Sequence, residues 1–159
     1  RVLVPTHRIA GVTEAELELA DGRRIPGTFN PEDASSAIPF QVFTPSKQNA
    51  LKGEKALTWS KETSPAEGLM LWAIEWPLGQ QLPNSRALPI LIRTTLGTTV
   101  EPPLERFYYV ALGRADGLAL ITHQGAVQCL VFRAVPGTKS KSLCAPENAV
   151  LSPLKGSKE

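Results

Sequence analysis

Between residues 12 and 19 polar and apolar positions alternate strictly. Glu14, Glu16 and Glu18 fall on one face and Ala15, Leu17 and Leu19 on the other, the period-two signature of a half-buried strand. Ala20-Asp21-Gly22-Arg23 follows as an Asp-Gly hairpin turn into a second strand over 24–29. The glutamates and the arginines Arg23 and Arg24 are thereby set to face each other as cross-strand pairs, which stabilise little at a surface. Residues 2–9 read as a strand interrupted by Pro5, which cannot donate to a ladder and favours an edge.

Further along, residues 40–44 form a short strand closed by Pro45, and Ser46 is placed to cap a short helix that Gly53 stops. Residues 57–60 read as a further strand. The run 69–76 is the most hydrophobic: Met70, Trp72, Ile74 and Trp76 share one face, Leu71 and Ala73 the other, so this strand is expected to be covered on both sides. A strand over 88–95 extends into a Thr-rich segment, which Pro102-Pro103 then terminates. Residues 105–135 read as a β-meander. Strands over 105–112, 118–123 and 126–135 are joined by Gly113-Arg114-Ala115-Asp116-Gly117 and by a Gln124-Gly125 turn.

Roughly eight to ten short strands with no βαβ rhythm and no internal repeat predict an all-β chain. The expected architecture is an antiparallel β-sandwich, jelly-roll-like or a partly open barrel, with at most one or two short helices. Residues 1–135 are expected to form a single domain. After Val135 the chain turns polar, and 136–159 are expected as a C-terminal tail partly docked on the sheet.

Composition narrows the class. A chain of 159 residues with 42% hydrophobic and 20% charged residues is an ordinary globular protein with enough material for a core. Fourteen prolines and twelve glycines punctuate it and leave little room for long helices. A net charge of +2 is too small to imply nucleic acid, whose phosphates demand many uncompensated cations on one face. No apolar run is long enough for a membrane-spanning helix. The first residue is Arg1 rather than Met, which reads as a processed product or an excised fragment. Cys129 and Cys144 allow one intramolecular bridge; that bridge, or a buried free Cys129 with an exposed Cys144, are equally open readings. Placement outside the cytoplasm or on a particle surface is the expectation, with the cytoplasm kept as the other reading.

Chemistry is conspicuous by what the sequence lacks. It carries no Gly-x-Ser-x-Gly elbow, no phosphate-cradling loop and no His-Glu-x-x-His helix. The two histidines are His7 and His123; His123 ends a strand beside a turn, a position that suits a catalytic or ligand-contacting imidazole and equally a polar strand-end residue with no special role, and nothing in the spacing asks for a Ser-His-Asp arrangement with Asp116 or Asp33. His7, His123, Cys129 and Cys144 lack the short paired spacing of a zinc site, so neither metal nor cofactor is expected. Glu14 with Glu16 and Glu32 with Asp33 are carboxylate pairs of the kind hydrolases use, though a solvated strand face explains the first equally well.

The aromatic residues and one turn supply the candidate binding surface. Trp59 is flanked by polar residues, Tyr108 and Tyr109 point to opposite faces of their strand, and the Arg114–Asp116 tip offers both charges, with His123 nearby in sequence. Exposed aromatics on a β-scaffold are a usual way to hold proteins or sugars. The mix of Pro-punctuated short strands, Thr-rich segments, a first residue other than Met and no catalytic motif is similar to surface-projecting β-domains such as viral capsid protrusions or bacterial envelope modules. The expected function is therefore a non-enzymatic module binding a protein or glycan partner within a larger surface or envelope assembly. A small hydrolase or lyase using His123 with a neighbouring carboxylate is one alternative, and a structural subunit of a homo- or hetero-oligomer the other.

Overall fold

The structure is a computed structural model and describes residues 2–19, 21–30, 39–75, 90–100, 107–113 and 118–155. The chain divides into two compact units, one comprising residues 1–56 with 150–159, the other residues 57–149. Each is built on an antiparallel sheet, as the sequence pattern requires.

The first unit holds four strands in the order β1-β4-β3-β2: β1 (Val2–Pro5), β2 (Glu14–Glu18), β3 (Arg24–Thr28) and β4 (Phe40–Pro45). Strand β2 alternates as read, with its glutamates exposed and Ala15 and Leu17 half-buried. The Asp21-Gly22 turn closes the β2–β3 hairpin, with Gly22 at φ 84° and its N–H donating to the Leu19 carbonyl at 2.9 Å. Arg24 lies 3.4 Å from Glu18 and 3.8 Å from Glu16 across the pair, so the expected cross-strand pairing forms. Strand β1 takes the edge that Pro5 favours. Ile9, Ile25, Phe29 and Phe43 form the core, with Phe29 and Phe43 edge to face at 5.6 Å. Gly27 is obligatory here: any Cβ would collide with the Phe43 ring and the Thr44 carbonyl of the neighbouring strand.

The helix expected after Ser46 does not form. Asn49 sits in the left-handed region at φ 61° and Gly53 at φ 95°, so the segment closes as successive turns, Ala50 N–H to Lys47 O, Lys52 N–H to Asn49 O and Glu54 N–H to Leu51 O. Each left-handed residue interrupts the helical ladder before it can propagate.

The second unit is a closed six-stranded barrel in the order β10-β7-β6-β5-β8-β9. Its strands are β5 (Met70–Glu75), β6 (Ile90–Thr99), β7 (Tyr108–Val110), β8 (Ala119–Ile121), β9 (Val127–Ala134) and β10 (Ser142–Ala145). Leu71, Ala73, Leu96, Val110, Leu120, Val131 and the two cysteines fill its interior. Closure leaves no unpaired sheet edge. The all-β antiparallel class therefore stands, and helix is confined to a single 3-10 turn (Thr6–Arg8) and α1 (Glu147–Lys155) among the described residues.

Three element-level expectations are corrected. Residues 105–135 are not a meander: β7 pairs with β6 and β10, while β8 pairs with β5 and β9, so β6 and β5 stand between consecutive strands. Only the second turn joins paired strands, with Gly125 at φ 80° and the Thr122 N–H bonded to the Ala126 carbonyl at 2.9 Å. Strand β5 is fully covered on one face only: Leu71 and Ala73 are buried there, while on the other Met70 and Ile74 are exposed and Trp72 is half-buried. Residues 57–60 contribute an isolated parallel bridge, Trp59 to Val127, instead of a strand. The polar segment beyond Val135 supplies β10, whose Ser142, Cys144 and Ala145 are buried between β7 and β9.

Candidate functional site

Cys129 and Cys144 are joined in a disulfide inside the barrel, their Cα atoms 5.6 Å apart and both side chains buried. The bridge ties neighbouring strands β9 and β10 across a separation of 15 residues. Of the candidate binding residues, Trp59 and Tyr108 are drawn to one strap. The Val127 N–H donates to Thr58 O and the Ser60 N–H to Val127 O, each at 2.7 Å. The Gln128 amide donates to Glu62 O at 3.0 Å, and the Tyr108 hydroxyl to Thr63 O at 3.4 Å. Tyr108 packs against the barrel core. Burial, and secondarily the Glu62 carboxylate, raise its phenol above the ordinary value of 10.0. Tyr109 takes the opposite, outer face, with the Lys141 ammonium 5.8 Å from its ring centre.

The four described candidates, Trp59, Tyr108, Tyr109 and His123, do not share one face, since Tyr108 and Tyr109 take opposite sides of β7. His123 is exposed in the β8–β9 turn, and Arg114 and Asp116 lie outside the described residues, as do Glu32 and Asp33. Glu14 and Glu16 border a shallow depression of about 450 Å³ on the first sheet, together with Gly27, Thr28 and Ser46. Both carboxylates belong to the exposed face of β2, and Glu16 is near Arg24, so the solvated-face reading describes them. Asp21 is held below its ordinary value of 3.8 by the Arg23 backbone N–H and then by the guanidinium, which also bridges to Glu54. That cluster clasps a turn. Among the described residues no group of three His, Cys, Asp or Glu side chains is arranged to hold a metal.

His7 is the better-placed imidazole, and sequence reasoning gave it less weight than His123. It occupies the 3-10 turn directly after β1, exposed between buried Pro5 and buried Ile9. The turn is tied at three points: the Thr6 N–H donates to Pro39 O at 3.0 Å, the Ile9 N–H to Thr6 O at 3.2 Å and the Val12 N–H to Ile9 O at 2.9 Å. A side chain anchored on both flanks is held in orientation, whereas His123 rides a hairpin tip. The signal available in the sequence was Pro5 ending a strand two residues before an imidazole.

No family model matches this sequence, and no curated protein does either. Solved structures match its fold closely. The inactive form of the Rv3671c protease of M. tuberculosis superposes with a TM-score of 0.72 at 13% identity, over 99% of this chain and 79% of that one. The HtrA-type protease AlgW with a decapeptide gives 0.74 at 16% identity, over 97% of this chain and 47% of that one. The MamO protease domain of Magnetospirillum magneticum gives 0.63 at 14% identity, over 95% and 80%. The chain thus spans under half of AlgW. At these identities the likeness shows the fold alone, which this chain shares with those protease domains. It overturns the expectation of a non-enzymatic protein- or glycan-binding module akin to a capsid protrusion, because the solved structures that share the architecture over nearly the whole chain are protease domains. Strand count and missing motifs do not exclude chemistry, because catalytic residues are disproportionately carried on loops positioned by a rigid scaffold.

Proposed function

We propose that this chain is a hydrolytic domain of the serine-protease type that acts on polypeptides, with His7 as its general base. The observation that carries the reading is the superposition of 96–99% of the chain on the Rv3671c protease in its active and inactive forms. His7 is favoured because a base must be held in register with the proton it removes, and its turn is the anchored one. In this chemistry a hydroxyl attacks the scissile carbonyl carbon, its proton passes to the imidazole, and that proton is then delivered to the leaving amine. A carboxylate facing the other ring nitrogen fixes the tautomer; Glu32 and Asp33 are nearest in sequence to Pro39, whose carbonyl meets the His7 turn. The sequence lacks a Gly-x-Ser-x-Gly elbow, so the nucleophile is a hydroxyl in another setting, recognised by reactivity instead of motif. The internal disulfide supports an oxidising compartment as the place of work.

Incubation with a fluorophosphonate probe and with a quenched peptide library tests this directly. One hydroxyl is expected to be labelled, and H7A is expected to abolish labelling and to lower cleavage by a factor of about 10³ or more. Absence of labelling and cleavage by the folded chain overturns the reading.

A further inference from the structure

We propose that the outer face of β7, β10 and β9 docks an acidic segment of a polypeptide. The inference goes beyond the hydrolytic reading and does not depend on it. Leu143 stands directly opposite Tyr109 on one side and Arg133 on the other, and directly opposed residues in an antiparallel sheet share a face. On β10 the neighbours Ser142 and Cys144 are buried inside the barrel, so Leu143, Tyr109 and Arg133 make a row on the outside. Arg133 reaches this row through the irregularity between Leu143 and Cys144, where β9 advances two residues for one on β10. Bulges of this kind re-aim a side chain; without it Arg133 would share the inward parity of Cys129 and Val131.

Lys141 and Lys139 complete the surface from the β9–β10 hairpin. The Lys141 ammonium lies 5.8 Å from the Tyr109 ring centre, and the Val135 N–H donates to the Lys141 carbonyl at 2.9 Å, extending the ladder. At Lys139 the backbone presses so closely on Gly113 that a Cβ there would overlap its carbonyl. The basic hairpin is therefore seated on the barrel. Arg133, Lys139 and Lys141 are all exposed, and among the described residues none of the three takes part in an ion pair, whereas Arg23 and Arg24 are both matched to carboxylates.

Charge complementarity selects the occupant. The row crosses three strands and spans about 10 Å, the reach of a few peptide residues. Half-buried Leu143 lies at its centre, with Arg133 at one end and Tyr109, which carries the Lys141 ammonium over its ring, at the other, which suits carboxylates flanking an apolar side chain. A nucleic acid backbone would engage many more cations than this, and the whole chain carries a net charge of only +2.

Fluorescence anisotropy with a labelled short peptide of Asp and Glu around a central Leu, against its Asn and Gln counterpart, tests the assignment on the full chain. The acidic peptide is expected to bind at least about tenfold more tightly than the amide peptide and to weaken as salt rises. R133E/K141E is expected to lose about tenfold or more, and the charge-neutral R133Q/K141Q to show a smaller loss in the same direction, while H7A binds as the wild type does. Circular dichroism of each variant confirms the fold. Equal affinity for both peptides overturns the proposal, as does unchanged binding in the folded charge variants. Tighter binding to an RNA oligonucleotide or to anionic vesicles of matched charge would also overturn it. Cleavage plays no part in the readout, so a catalytically silent chain leaves this result intact.

Discussion

Tyr108 shows how one side chain joins a core to a strap. Its ring packs on the barrel interior while its hydroxyl reaches the Thr63 carbonyl at 3.4 Å, too long to contribute strongly. Burial and then the Glu62 carboxylate favour the neutral phenol. A folded value raised above the unfolded one means that the native state holds the proton more tightly, so this contribution is complete below the ordinary value of 10.0 and is lost as pH rises through the folded value. Denaturant titrations of wild type and Y108F are therefore expected to diverge above about pH 10, with Y108F the less alkali-sensitive of the two. Parallel pH dependence in both proteins would show that the phenol is not coupled to folding. The Tyr108/Tyr109 alternation was legible in the sequence, because successive strand residues point to opposite faces. Which of the two faced inward was not, since both are amphipathic and either fits a core. His7 was visible too, but its anchoring arises from Pro39, remote in sequence, and no local pattern announces such a contact.

Among the elements, β10 is the one that pairing created. Ser142–Ala145 is short, follows Lys139-Ser140-Lys141 and carries no alternation long enough to read, yet it is hydrogen-bonded on both sides, to β7 and to β9. The Cys129–Cys144 bridge fastens it. For a loop of 15 residues the chain-entropy model gives about 3 kcal/mol, so C129A/C144A is expected to lower unfolding stability by about that amount in guanidinium titration. Added reductant is expected to reproduce the loss only under partly denaturing conditions, because both sulfurs are buried. Rapid reduction of the native chain with no change in stability would refute this account. By contrast β2, β3 and their Asp-Gly turn were fully legible: strict alternation and a positive-φ glycine are local properties. The false meander came from the same local logic, for consecutive strands pair more often than not, and only the β5–β6 hairpin intervening in the sheet shows otherwise.

At the scale of the molecule the two sheets differ in closure. The four-stranded sheet leaves β1 and β2 as its outer strands, while the barrel pairs every strand on both sides. Amides of β5, β6 and β9 are therefore expected to exchange with solvent more slowly than those of β1 and β2, because an opening barrel must break two ladders where an edge breaks one. Hydrogen exchange followed by mass spectrometry decides this, and equal protection of β1 and β9 would contradict it. What the amino-acid sequence determined alone was the class of structure: period-two patterning, β-branched and aromatic runs, and Gly and Pro punctuation act over a few residues and forced antiparallel strands. Tertiary structure decided strand order, barrel closure, the bridge and the outward turn of Arg133. Those depend on contacts between distant segments, whose energies appear only once loop entropy has been overcome and partners have met.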